Sequence, residues 1–137
     1  MADMILPEGI ITYTETKSGK RTDYNSDAES LDIPIVILIN ENSASASEVF
    51  TGALKDYGKA TVVGKKSYGK GIVQSVLPFY DGSGMSLTVA KYYTPNGTCI
   101  HGIGIEPDVE VDMPDEYKDM YASMVEHDKD NSTSKSD

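Results

Sequence analysis

Residues 33–64, "IPIVILINENSASASEVFTGALKDYGKATVVG", decide how the rest of the chain is read. Residues 33–40 are a continuous apolar, β-branched run. Such a run predicts a central strand buried in a sheet on both faces. From Ala46 onward the apolar side chains fall at Ala46, Val49, Phe50, Ala53, Leu54 and Tyr57, one face of a helix of about three turns. Gly58 is placed to end it in a left-handed conformation. At its start, Ser45-Ala46-Ser47-Glu48 reads as a capping box, in which a serine and a glutamate three residues later satisfy orphan N–H groups. "ATVVG" (60–64) is a second short buried strand. The order strand, helix, strand predicts an α/β layer with a right-handed crossover.

Outward from this unit, "IITYTET" (10–16) and "RTDYNSD" (21–27) flank the Gly-containing "KSGK" and predict a hairpin. Toward the C-terminus, "GIVQSVLPFY" and "MSLTVAKYYT" alternate with period two on either side of "DGSG", predicting an antiparallel hairpin. "TPNG" is a turn, and "IHGIGIEPDVEV" is extended chain punctuated by glycine. Residues 113–127 read as a short acidic helix, and "DKDNSTSKSD" (128–137) as a disordered tail. No internal repeat is visible.

A length of 137 residues suits one domain with a real core. Twelve basic against 22 acidic side chains give a net charge of −10, which argues against nucleic acid or an anionic membrane as partner. Cys99 is alone, so neither an intramolecular disulfide nor a cysteine-based metal site is expected. No stretch reaches the roughly 18 apolar residues of a membrane span, and "MADMILPEGI" has an acid where a signal peptide carries lysine or arginine.

"GKKSYGKG" (64–71) fits the spacing of a phosphate loop. Two requirements are missing: Gly71 offers no hydroxyl to magnesium, and a strand-like alternation follows where a helix N-terminus is needed. No cofactor is expected. A Ser/His/Asp triad has only His101 and His127 to draw on; His127 lies in the acidic tail, and His101 in a Gly-rich segment of packed or solvated character. Lysine is the other available base. Near neutral pH it serves only if burial penalises its charged form, and Lys70, between Gly69 and Gly71 and leading into a buried-looking strand, is the candidate. The plain alternative is a turn lysine with its head in water. Gly69 and Gly71 would let a substrate backbone lie close. On an ideal strand Gln74 stands roughly 13 Å from Lys70, so orienting it requires a kink at Gly71.

Taken in order, "SASASE" (43–48), "GKKSYGKGIVQ" (64–74), "LTVAKYYTPNG" (87–97) and "HGIGIEPDVEV" (101–111) resemble the carboxyl-terminal processing peptidases, or tail-specific proteases. The resemblance runs from about residue 2 to 111. It implies a serine endopeptidase with a Ser/Lys dyad: Ser45 as nucleophile, Lys70 as general base and Gln74 orienting that lysine. It further implies that the N–H of Ala46, at the helix start, faces the developing oxyanion, while Ser43 and Ser47 cap and pack.

The implied fold is an α/β, crotonase- or Clp-protease-like core of strand-helix units, here partial, with a C-terminal antiparallel hairpin. The implied substrate is an extended polypeptide added as a strand beside the site. Asn42 replaces the family's usual glycine, a mild change since asparagine tolerates left-handed backbone. The family's PDZ domain and the Asn-Pro-Gly-Gly turn that supplies the other oxyanion donor have no counterpart here. Residues 1–112 are therefore expected to be the C-terminal part of a peptidase core, weak or inactive alone. The alternative is a non-catalytic peptide-binding or scaffold module of the same fold. Exposed sheet edges predict self-association, and the family implies an extracytoplasmic setting.

Overall fold

The unit read at 33–64 folds as strand, helix and parallel strand. The computed structural model describes residues 1–27, 29–118, 120 and 123. Strand β1 (Gly9–Thr16) and β2 (Arg21–Ser26) form the first hairpin; β3 (Ile35–Ile39), α1 (Ala46–Asp56) and β4 (Ala60–Gly64) the central unit; β5 (Ile72–Pro78) and β6 (Gly84–Tyr93) the second hairpin; and β7 (Val109–Glu110) closes the order. All of these except β7 match segments expected from the sequence. Of the acidic helix expected at 113–127, residues 115–118, 120 and 123 are helical and residues 113 and 114 are not; the remainder and the 128–137 tail lie outside the described residues.

The elements form two sheets. The parallel sheet runs β3-β4-β7, and the antiparallel one runs β2-β1-β6-β5. Strand β3 is thus an edge strand rather than a central one. Among the described residues only one of its faces is covered: Ile39 is 6 % exposed, whereas Val36 and Leu38, on the other face, are 64 % and 77 % exposed. Its continuous apolar run gives no alternation from which this could be read.

Helix α1 covers the inner face. Ala53 and Leu54 are fully buried against Leu6, with Ile35, Ile37 and Phe50 packed around them. Full burial of a side chain such as Leu54 stabilises by about 2 kcal/mol. Gly58 takes φ 64°, and the N–H of Lys59 bonds the Leu54 carbonyl, so the helix stops where the glycine predicts. A second cluster, Ile39, Val62, Ile100 and Ile105, lies where the 100–105 loop meets the parallel sheet. The two hairpins are joined by β1 and β6, paired from Tyr13↔Tyr93 to Thr16↔Ala90. Below Ala90, β6 pairs only with β5, so the rest of the second hairpin is a two-stranded ribbon. Among the described residues, no helix is long and apolar enough to cross a membrane.

Candidate active site

Ser45 is the N-cap of α1, with φ 58° and ψ −115°. It is the one non-glycine residue with positive φ among the described residues. A residue with a Cβ is strained there, and surrounding structure has to hold it. The strained turn leaves Ser45 exposed at the tip of the helix. The next amides, of Ser47 and Glu48, bond the carbonyls of Ala44 and Ser45. The N–H of Ala46 has no acceptor among the described residues, and with the helix dipole behind it this donor is available to an anion.

Glu48 does more than its place in a capping box predicts. One of its oxygens, Oε2, accepts the Ser45 N–H at 2.9 Å and the Lys70 N–H at 2.8 Å. Sharing one oxygen puts those two amide nitrogens less than about 6 Å apart. Oε1 accepts the Ser67 hydroxyl at 2.6 Å and the Gly69 N–H at 2.5 Å. The carboxylate is 1 % exposed. Three N–H groups and a hydroxyl are what an acceptor-only group satisfies. Ser67, 6 % exposed, in turn accepts the Ile105 N–H at 2.7 Å. Tyr68 N–H bonds the Ser43 carbonyl, a further link between the two loops.

The loop bearing Lys70 is wedged against residues 100–105. A Cβ on Gly71 would stand 2.6 Å from the His101 nitrogen, and one on Gly104, which also has φ 74°, 2.5 Å from the Ser67 carbonyl oxygen. A Cβ on Gly69 would meet the Gly104 nitrogen at 3.2 Å. This packing accounts for both flanking glycines without a substrate.

The Lys70 side chain takes the plain alternative, a lysine exposed to water. Its flanks Gly69 and Gly71 are buried, but Lys70 itself is exposed, so the chain supplies the anchoring of the loop and not the desolvation of the ammonium. The register of β5 on β6 shifts between Val73 and Gln74, opposite Val89, and Gln74 is exposed. Neither the Lys70 ammonium nor the Gln74 amide has a side-chain partner among the described residues. His101 is exposed, and His127 lies outside the described residues. Strand β5 follows "GKKSYGKG" where a phosphate loop needs a helix. No cluster of metal-ligating side chains occurs among the described residues.

Beside Ser45 opens a cavity of about 380 Å³ whose walls include Thr12, Tyr24, Val49, Phe50 and Tyr92. None of its lining residues is charged. The sequence carries no signal for it, because its walls come from β1, β2, α1 and β6. The roles of Ser67 and of the far side of Glu48 were hidden for the same reason, although both residues lie within quoted motifs.

A family model described as peptidase family S41 matches residues 1–111. A carboxyl-terminal-processing protease of Synechocystis sp. is 44 % identical over 115 residues, covering 83 % of this chain and 27 % of that protein. A probable CtpA-like serine protease of Staphylococcus aureus is 50 % identical over 119 residues, 83 % of this chain and 24 % of that one. The solved photosystem II D1 C-terminal processing protease matches with a TM-score of 0.76 at 42 % identity, over 81 % of this chain and 29 % of its own. The chain spans about a quarter of the length of the curated relatives it matches.

Proposed function

The chain belongs to peptidase family S41, and on that premise we propose that Ser45 and Lys70 form the dyad of a serine endopeptidase acting on extended polypeptide. The observation that carries the reading is the joint anchoring of both residues: a strained serine at a helix tip and a lysine loop, bonded through their amides to one carboxylate oxygen. Neutral Lys70 takes the Ser45 hydroxyl proton as the oxygen attacks the scissile carbonyl carbon. The Ala46 N–H receives the oxyanion, and the resulting ammonium protonates the departing amine. Water then attacks the acyl-enzyme as Lys70 takes its proton, and the ammonium passes that proton to the departing Ser45 oxygen, restoring the hydroxyl and neutral Lys70.

Lys70 must lose water for this chemistry. We assign that step to bound substrate and to the longer polypeptide of which the relatives' lengths are an example. The uncharged cavity beside Ser45 suits an apolar substrate side chain. Gln74 is the residue that orients Lys70 once it is covered. An extracytoplasmic setting belongs to the same reading.

Exposure of Lys70 favours one other reading, a peptide-binding module of the same fold without catalysis. Cleavage of an unfolded protein by the polypeptide carrying this sequence separates the two. Ser45→Ala and Lys70→Ala are expected to abolish it, and the wild-type rate is expected to rise with pH as the lysine loses its proton. Undiminished cleavage in either variant refutes the dyad; binding without cleavage in the wild type establishes the module.

A further inference from the structure

We propose that Glu48 is a positioning residue whose buried carboxylate, braced by Ser67, sets the spacing between the Ser45 turn and the Lys70 loop. This rests on the dyad reading above for its catalytic consequence but not for its physical content.

A capping carboxylate needs only the N-cap amide at its own helix end. Glu48 makes that bond with Oε2 and three others that reach 19 to 22 residues along the chain, to Ser67, Gly69 and Lys70. Every one of these donors belongs to the loop that carries the base. Ser67 holds the outer end by donating to Oε1 while accepting from Ile105, so its hydroxyl links Glu48 to the 100–105 loop. The tie runs beneath the site. Glu48 and Ser67 are buried, whereas Ser45 and Lys70 keep their side chains exposed above it. A rigid lower tier with free upper side chains is what a reacting pair needs, since misplacement by about 1 Å can cost 100-fold in rate.

Two features make the role specific to a carboxylate. An amide at position 48 offers one acceptor oxygen, and its NH₂ would face backbone N–H donors that have no lone pair to accept its protons. Aspartate is one methylene shorter and cannot hold the Ser45 turn and the 67–70 loop together. Ser67→Thr preserves the hydroxyl and Ser67→Ala removes it.

The test uses the polypeptide carrying this sequence with Glu48→Gln, Ser67→Ala and Ser67→Thr, read in two ways. The first is amide hydrogen exchange. Glu48→Gln is expected to strip protection from Ser45, Gly69 and Lys70 together while Val62 and Leu54 stay protected; Ser67→Ala does so more weakly, and Ser67→Thr restores it. The second is turnover of an unfolded protein together with covalent labelling of Ser45 by a fluorophosphonate. Glu48→Gln is expected to lower kcat about 100-fold with KM within about threefold, and to slow labelling in parallel. Exchange that responds at only one of the two loops, or normal kcat and labelling in a folded Glu48→Gln protein, overturns the proposal. If Glu48→Gln does not fold, Ser67→Ala decides by the same readings. Failure of the dyad looks different: no labelling of the wild type, with the coupled exchange intact.

Discussion

Ser45 holds φ 58° and ψ −115° without being glycine, a backbone conformation that costs on the order of 1–3 kcal/mol. The strain is held by the Glu48 bond to its amide and by the start of α1. Ser45→Gly relieves the strain, and the greater freedom of glycine in the unfolded chain takes back about 0.5–1 kcal/mol. Ser45→Ala keeps the Cβ and with it the strain. The glycine variant is therefore expected to be about 1 kcal/mol more stable than the alanine variant in urea unfolding, both being inactive; an alanine variant of equal or greater stability would show that the turn is relaxed. At this scale the sequence was a partial guide. Its motif singled out Ser45, Ala46, Lys70 and Gln74, and the capping box located the Glu48 contact to Ser45. That the same glutamate also grips residues 67–70 depends on a fold-back no local spacing encodes. Lys70 was open to two readings, a buried base or a turn lysine with its head in water, and its side chain is exposed although both neighbouring glycines are buried.

Element boundaries were legible wherever punctuation is chemical. Gly58 ends α1, "DGSG" turns β5 into β6, and "KSGK" turns β1 into β2. The two-residue strand β7 was not, since its pairing with β4 comes from register rather than pattern. It is fixed in part by Asp108, just before it, which accepts the Val62 N–H at 2.8 Å and pairs with Lys55 of α1 at 2.9 Å. Hydrogen bonding from Lys55, and then from Val62, holds the Asp108 carboxyl below its ordinary value, against a desolvation that pushes it up. A folded-state value lower than the unfolded one gives stabilisation that is complete above the unfolded value and lost as pH falls through the folded one. Both partners are about a third exposed, so the contribution is about 1 kcal/mol or less. Asp108→Asn is accordingly expected to lower the urea midpoint at pH 7, with the gap to wild type closing below about pH 4. A gap that is the same at pH 7 and pH 3 would exclude this ion pair as its source.

At the scale of the whole fold, the apolar surface left bare among the described residues is large. Val36, Leu38, Val109 and Val111 line the uncovered face of the parallel sheet, and Leu77, Met85 and Leu87 one face of the projecting ribbon. Exposed apolar patches and open edges drive association. The 137-residue chain is expected to self-associate at tens of micromolar, and Val36→Lys with Leu38→Lys to shift it toward monomer in sedimentation velocity. A wild-type monomer at that concentration would count against this. The sequence by itself determined the elements other than β7, the hairpins, the family and the residues of its motifs, because periodicity, turn chemistry and short motifs are local properties of a chain. Only the tertiary structure decided which face of β3 is bare, that Lys70 is exposed, that a cavity adjoins Ser45, and that Glu48 joins the two loops. Each of these depends on segments far apart in sequence packing against one another, and no stretch of residues records its distant neighbours.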